Sequence, residues 1–145
     1  MFQVYTPETI DIARAAIIVR AKVKLHTVTC TMTAAARTYV LEVADTDEAR
    51  KLGLSGRPAL AKNAGMLFVF PDSAPRSIVM RGMCFSIDIV WLDAEKRIVY
   101  IQENARPESY PSERFCPDAP AHYVIELSAG EAAAAGLRVG QELVF

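Results

Sequence analysis

Apolar and polar residues alternate with a period of two along much of the chain. Val19, Ala21, Val23 and Leu25 alternate with Arg20, Lys22, Lys24 and His26; the phase then flips, setting Val28, Cys30 and Met32 against Thr27, Thr29 and Thr31. Such alternation predicts half-buried strands, and the one-residue flip predicts a bulge or break near His26. Further strands are expected over 2–5, 39–43, 65–70, 78–80, 86–92, 97–103, 123–127 and 142–145. Residues 86–92 and 97–103 flank Asp93-Ala-Glu-Lys96, the clearest hairpin in the chain. The prolines at 71 and 75 predict a loop joining 65–70 to 78–80, so that two core strands follow one another there. Residues 104–121 carry four of the eight prolines and little periodicity, which predicts one long loop.

Helix signals interrupt this pattern three times. Thr6, Pro7 and Glu8 open a helix over 7–16. Asp45-Thr-Asp-Glu48 has the form of a capping box, followed by Arg50, Lys51 and a Gly53-Leu54 stop. Ser128-Ala-Gly-Glu131 repeats the pattern, with an alanine-rich body and Gly136-Leu137 at its end. The expected fold is mainly β (α+β): a jelly-roll or barrel-like antiparallel domain with two or three short helices.

Composition changes this picture little. The 145 residues, 52% hydrophobic and 23% charged, suit a single domain spanning 1–145, in which 1–25 form an N-terminal extension. A net charge of −1 supplies no basic footprint for nucleic acid, and no apolar run approaches a membrane span. The basic stripe from Arg20 to His26 suits a solvated strand face guarding a sheet edge. Nothing at the start has the form of a signal peptide, so the expected location is the cytoplasm, or outside it if a leader has been trimmed. Cys30, Cys84 and Cys116 are an odd number in a chain large enough to fold without staples, which argues against a disulfide framework while leaving one bridge open.

Several motifs together resemble the bacterial and archaeal DUF192 family of uncharacterised proteins. They are Val43-Ala-Asp-Thr46, Gly53-Leu54 with Arg57, Gly65-Met-Leu-Phe68, Met80, Ile87-Asp88, Asp93, Tyr123-Val-Ile-Glu-Leu127 with Ala129-Gly130, and Val139-Gly140. The resemblance covers about residues 38–145 and implies a mainly β domain with two short helices; it implies no activity. Ser55 stands where the family usually has Met, and Gly82 where it usually has Asn. A pocket built on that Asn in relatives would be altered here.

The candidate chemistry is sparse. Asp88 shares a strand face with Val90 and Leu92, and a buried carboxylate needs a charged or donor partner. Arg57 and Arg81 are the partners nearest by motif. Met66, Met80, Met83, Cys84, Cys116 and His122 offer soft ligands, but on one strand Met80 and Cys84 point away from Met83, so no metal is expected. Cys116 with Arg114 and His122 could form a cysteine-enzyme site, although sequence does not bring them within reach of one another. No P-loop, dinucleotide glycine motif or G-x-S-x-G elbow is present, and no cofactor is expected.

Three functional readings follow. The first is a non-catalytic β module binding a polar or anionic small molecule, a saccharide for example. Its candidate residues are Arg57, Met80, Arg81 and Asp88, with Tyr110 and Cys116 from the 104–121 loop. The second is a structural or protein-interaction domain in which Arg57 and Asp88 form a purely structural ion pair. The third is a hydrolase-like enzyme using Cys116 and His122. Oligomeric state is left open.

Overall fold

The computed structural model of the chain describes residues 28–34 and 36–145. The strands expected over 2–5 and 19–26, and the helix expected over 7–16, lie outside the described residues. The elements are β1 (Thr29–Ala34), β2 (Arg37–Ala44), α1 (Asp47–Leu52), β3 (Ala64–Ala74), β4 (Ile87–Leu92), β5 (Ile98–Ala105), a 3-10 turn (Pro107–Ser109), β6 (Ala121–Ser128) and α2 (Glu131–Ala134).

Six strands form one mixed sheet in the order β1-β2-β3-β6-β4-β5. The protein is mainly β, as the alternation predicts. The sheet is open, and one pair, β2 with β3, is parallel. The reason is topological: α1 and residues 53–63 carry the chain from one end of the sheet back to the other, and only such a crossover lets consecutive strands run parallel. β3 and β4 are not neighbours, because β6 pairs with both. The strand lying beside 65–70 is therefore β6, and the segment after the 71–75 loop forms no second core strand. Residues 71–74 continue β3 after a register shift, and 78–80 supply only an isolated bridge from Ile78 to Phe115. The expected strand over 142–145 is likewise reduced to a bridge between Arg97 and Glu142.

Each face of the sheet buries its own apolar layer. On one face Met32, Tyr39, Leu41, Leu67, Val90, Leu92, Ile125 and Leu127 pack beneath α2 and Leu143. On the other, Ala44, Met66, Phe68, Ile87, Ile89, Trp91 and Val124 pack beneath Leu54 and Met80. Strands covered on both faces lose the polar half of their alternation, and all six residues of β4 are buried. At the edge, β1 keeps the alternation, its threonines exposed and Met32 and Ala34 buried.

The helix caps differ from their sequence signals in an instructive way. Thr46, one residue beyond the expected Asp45, caps α1, its hydroxyl accepting from the Ala49 N–H at 3.2 Å. α2 has no cap from its own sequence: Gly130, at φ 91°, occupies the N-cap position and Ser128 remains in β6. Its cap comes instead from Asp88 on β4.

Candidate functional site

The six residues nominated from sequence are not brought together. Asp88 lies fully buried on the α2 face. Its Oδ2 accepts from the Gly130 and Ala132 N–H groups, and its Oδ1 from the Asn104 N–H, each at 2.9 Å. Three backbone donors occupy this carboxylate, which ties the start of α2 and the end of β5 to the centre of the sheet. Arg57 has a different partner: its fork meets both Glu42 oxygens at 2.6 and 2.7 Å. The expected Arg57–Asp88 ion pair is therefore absent, because the loop after α1 runs over the opposite face, where Glu42 of β2 points. That hydrogen bonding holds the Glu42 carboxyl below its ordinary range.

Met80 is core, 1% exposed. Tyr110 stands half-exposed after the 3-10 turn. Cys116 is an exposed free thiol lining an open cleft of ≈530 Å³ beside Tyr100, Gln102 and Arg114. Its Sγ donates to the Pro117 carbonyl at 3.9 Å, whereas His122 meets the Ser73 hydroxyl at 3.4 Å. Cys116 and His122 therefore engage different groups. Cys30 and Cys84 are free thiols as well.

Of the six, only Arg81 lines the cleft with the most distinctive chemistry, and that cleft is organised by Glu126, a residue the sequence did not nominate. β6 alternates faces, so Glu126 points to the same side as Val124, between Met66 of β3 and Ile89 of β4. The flanking positions on β3 and β4 are apolar, while polar Ser128 lies two residues along β6 on the same face. Glu126 is 5% exposed, no hydrogen bond among the described residues involves its carboxyl, and the carboxyl oxygens are not sealed off from the cleft. Burial alone pushes the Glu126 carboxyl up to about 8, because desolvation disfavours the charged form.

Above it opens a cleft of ≈170 Å³. Its buried lining, Leu54, Phe68 and Glu126, forms the floor, and exposed Lys51, Val79 and Arg81 stand at the mouth. The walls are pinned. On one side the Ser55 hydroxyl donates to the Arg81 carbonyl, and the Gly56 N–H to that of Gly82, both at 2.8 Å. On the other, the Trp91 indole donates to the Arg76 carbonyl at 2.8 Å, and Ile78 exchanges backbone bonds of 2.8 and 3.0 Å with Phe115. Arg50 also lines the cleft but is engaged, at 2.6 Å by the Val69 carbonyl and at 2.7 Å by Asp47.

One glycine permits the close approach of β3 and β6 behind the site, and another lies at its wall. A Cβ at Gly65 would stand 2.7 Å from the Glu126 carbonyl and from Leu127, closer than atoms can approach, so β3 and β6 meet here only without a side chain. Gly82, at φ +68°, faces Ser55, whose Cβ would lie 3.3 Å from a Cβ at position 82. The two departures from the family pattern, Ser55 and Gly82, are thus spatial neighbours at the cleft.

The signal for Glu126 was present in Val124-Ile-Glu-Leu127: a carboxyl at a strand position whose period partner is apolar. Its weight depends on β6 lying between two other strands, which the local pattern does not show.

No curated protein matches this chain. Two crystal structures share the fold: a protein of unknown function from Novosphingobium aromaticivorans, 27% identical, with 81% of this chain and 84% of that one covered at a TM-score of 0.71; and a putative transcription regulator from Sinorhizobium meliloti, 31% identical, with 79% and 89% covered at 0.70. The DUF192 family model, described as Uncharacterized ACR, matches residues 28–145. On that match the chain belongs to the DUF192 family.

Proposed function

We propose that the protein is a small-molecule binding module whose site is the cleft above Glu126. One observation carries this reading: a carboxyl buried to 5% exposure, with no described hydrogen-bond partner, sits on the floor of a cleft that opens to solvent. Burying a carboxyl without a partner costs stability, and such groups are kept where a ligand completes them. Asp88, one strand away, illustrates the alternative, since backbone donors satisfy it completely. A cleft of ≈170 Å³ is close to the cavity of about 150 Å³ that holds one benzene. The ligand, or the part of it that enters, is accordingly small. Cationic Lys51 and Arg81 at the mouth favour an anionic group there, and the floor favours a polar one.

The description of the Sinorhizobium relative as a putative transcription regulator suggests nucleic acid as another partner. A net charge of −1 lends that no support.

Amide-resolved NMR titration with a panel of small carboxylates, amino acids, phosphate and monosaccharides tests the reading. Binding at the cleft shifts Gly53, Ser55, Arg81 and Glu126, and Val79→Trp, which fills the mouth without touching the core, abolishes the shifts. Shifts confined to the Cys116 cleft, or no shifts with any probe, would overturn it.

A further inference from the structure

Resting on that binding site, we propose that its ligand is a small zwitterion, a primary ammonium joined to a carboxylate by a short apolar spacer, with the ammonium on Glu126 and the carboxylate at the mouth.

The cleft presents three chemistries in order of depth. At the floor is one carboxyl, with only apolar neighbours from β3 and β4. Leu54 and Phe68, with half-buried Ile78 and Met83, supply apolar walls. The charged residues facing the cleft from the other elements are all cations: Arg50 and Lys51 from α1, and Arg81 from the 77–83 segment. No carboxylate other than Glu126 lines it.

Each simpler ligand leaves one end unmatched. An anion satisfies Lys51 and Arg81 but brings its charge toward an acidic group that can then serve only as a neutral hydrogen-bond donor. An amine matches the floor but must pass Lys51 and Arg81 to reach it. A zwitterion completes both ends. Its ammonium forms a charge-assisted bond with the carboxylate on a largely buried floor, where such bonds are stronger than in open water. The methylenes of its spacer lie against the apolar walls.

This pairing has a proton balance. Free Glu126 holds its proton at neutral pH, because burial pushes it up to about 8. The ligand ammonium enters with its own proton, and ion pairing expels the carboxyl proton to solvent, so binding at pH 7 releases close to one proton per site.

Isothermal titration calorimetry of the full chain at pH 7, run in two buffers of different ionisation enthalpy, reads affinity and proton release together. Glycine, β-alanine and 4-aminobutyrate vary the spacer; butyrate and butylamine each remove one charged end. The expected result is that one amino acid binds at least tenfold more tightly than butyrate and butylamine and releases close to one proton. Glu126→Gln is expected to weaken that binding at least tenfold and abolish the release. Butyrate or butylamine binding equally well, or binding without proton release, overturns the zwitterion while leaving the cleft as a binding site. If none of the five binds but another member of the wider NMR panel shifts the cleft residues, the ligand class is again wrong and the site stands.

Discussion

Asp88 and Glu126 stand on adjacent strands, one residue apart in register, and point to opposite faces of the sheet. Both are buried carboxyls; their surroundings make them opposites. Three backbone N–H groups converge on Asp88. Asp88→Asn replaces one accepting oxygen by a donor and strands at least one buried N–H, a loss of about 2–3 kcal/mol in urea unfolding. A neutral substitution there would show that its role in capping α2 is minor. Glu126 is flanked by apolar residues of β3 and β4 and has no described partner, so its protonation is linked to folding with an unusual sign. Its carboxyl rises from 4.5 to about 8 on folding, so the native state binds the extra proton between those values and stability falls as pH rises. Between pH 5 and 8 this amounts to about 3–4 kcal/mol. Glu126→Gln removes that dependence, so thermal unfolding of the two proteins should diverge steadily across this range, the variant becoming the more stable. Parallel curves would contradict the account. Gly65→Ala places a methyl against the backbone of Glu126 and is expected to cost about 2–3 kcal/mol by strain.

At the scale of elements, much of the strand pattern was legible because alternation is local. β1 and β2 follow directly from period two, and the β4–β5 hairpin from its strand-turn-strand pattern; its turn is held by Asp93, whose Oδ1 accepts from the Glu95 and Arg97 N–H groups at 3.0 and 2.9 Å. What failed was non-local. Pro71 does not stop β3, and the cap of α2 comes from Asp88, 42 residues upstream of Gly130. The site was illegible for the same reason: Arg57 and Asp88 are near each other as motifs, but the crossover through α1 assigns them to opposite faces. The Arg57–Glu42 fork fastens the α1 exit to β2, and each side chain is about a third exposed. Water screens such a pair, so Arg57→Ala should cost only about 0.5–1 kcal/mol in urea unfolding. A loss as large as that of Asp88→Asn would show that the fork does more than fasten the loop.

For the whole molecule, the order β1-β2-β3-β6-β4-β5 places two doubly covered strands, β6 and β4, beside each other. α2 and the C-terminal segment close one face. α1, its exit and residues 77–83 close the other incompletely, and Glu126 lies under the gap. The functional reading therefore depends on one physical state: a carboxyl at the cleft floor that is largely buried, without a described partner and protonated at neutral pH. Carbon-13 NMR titration of the Glu126 side-chain carboxyl, assigned by its disappearance in Glu126→Gln, measures that state directly. A midpoint near 8 is the predicted result; a midpoint near 4.5 would mean that water or a partner already satisfies the carboxyl, and would contradict the account.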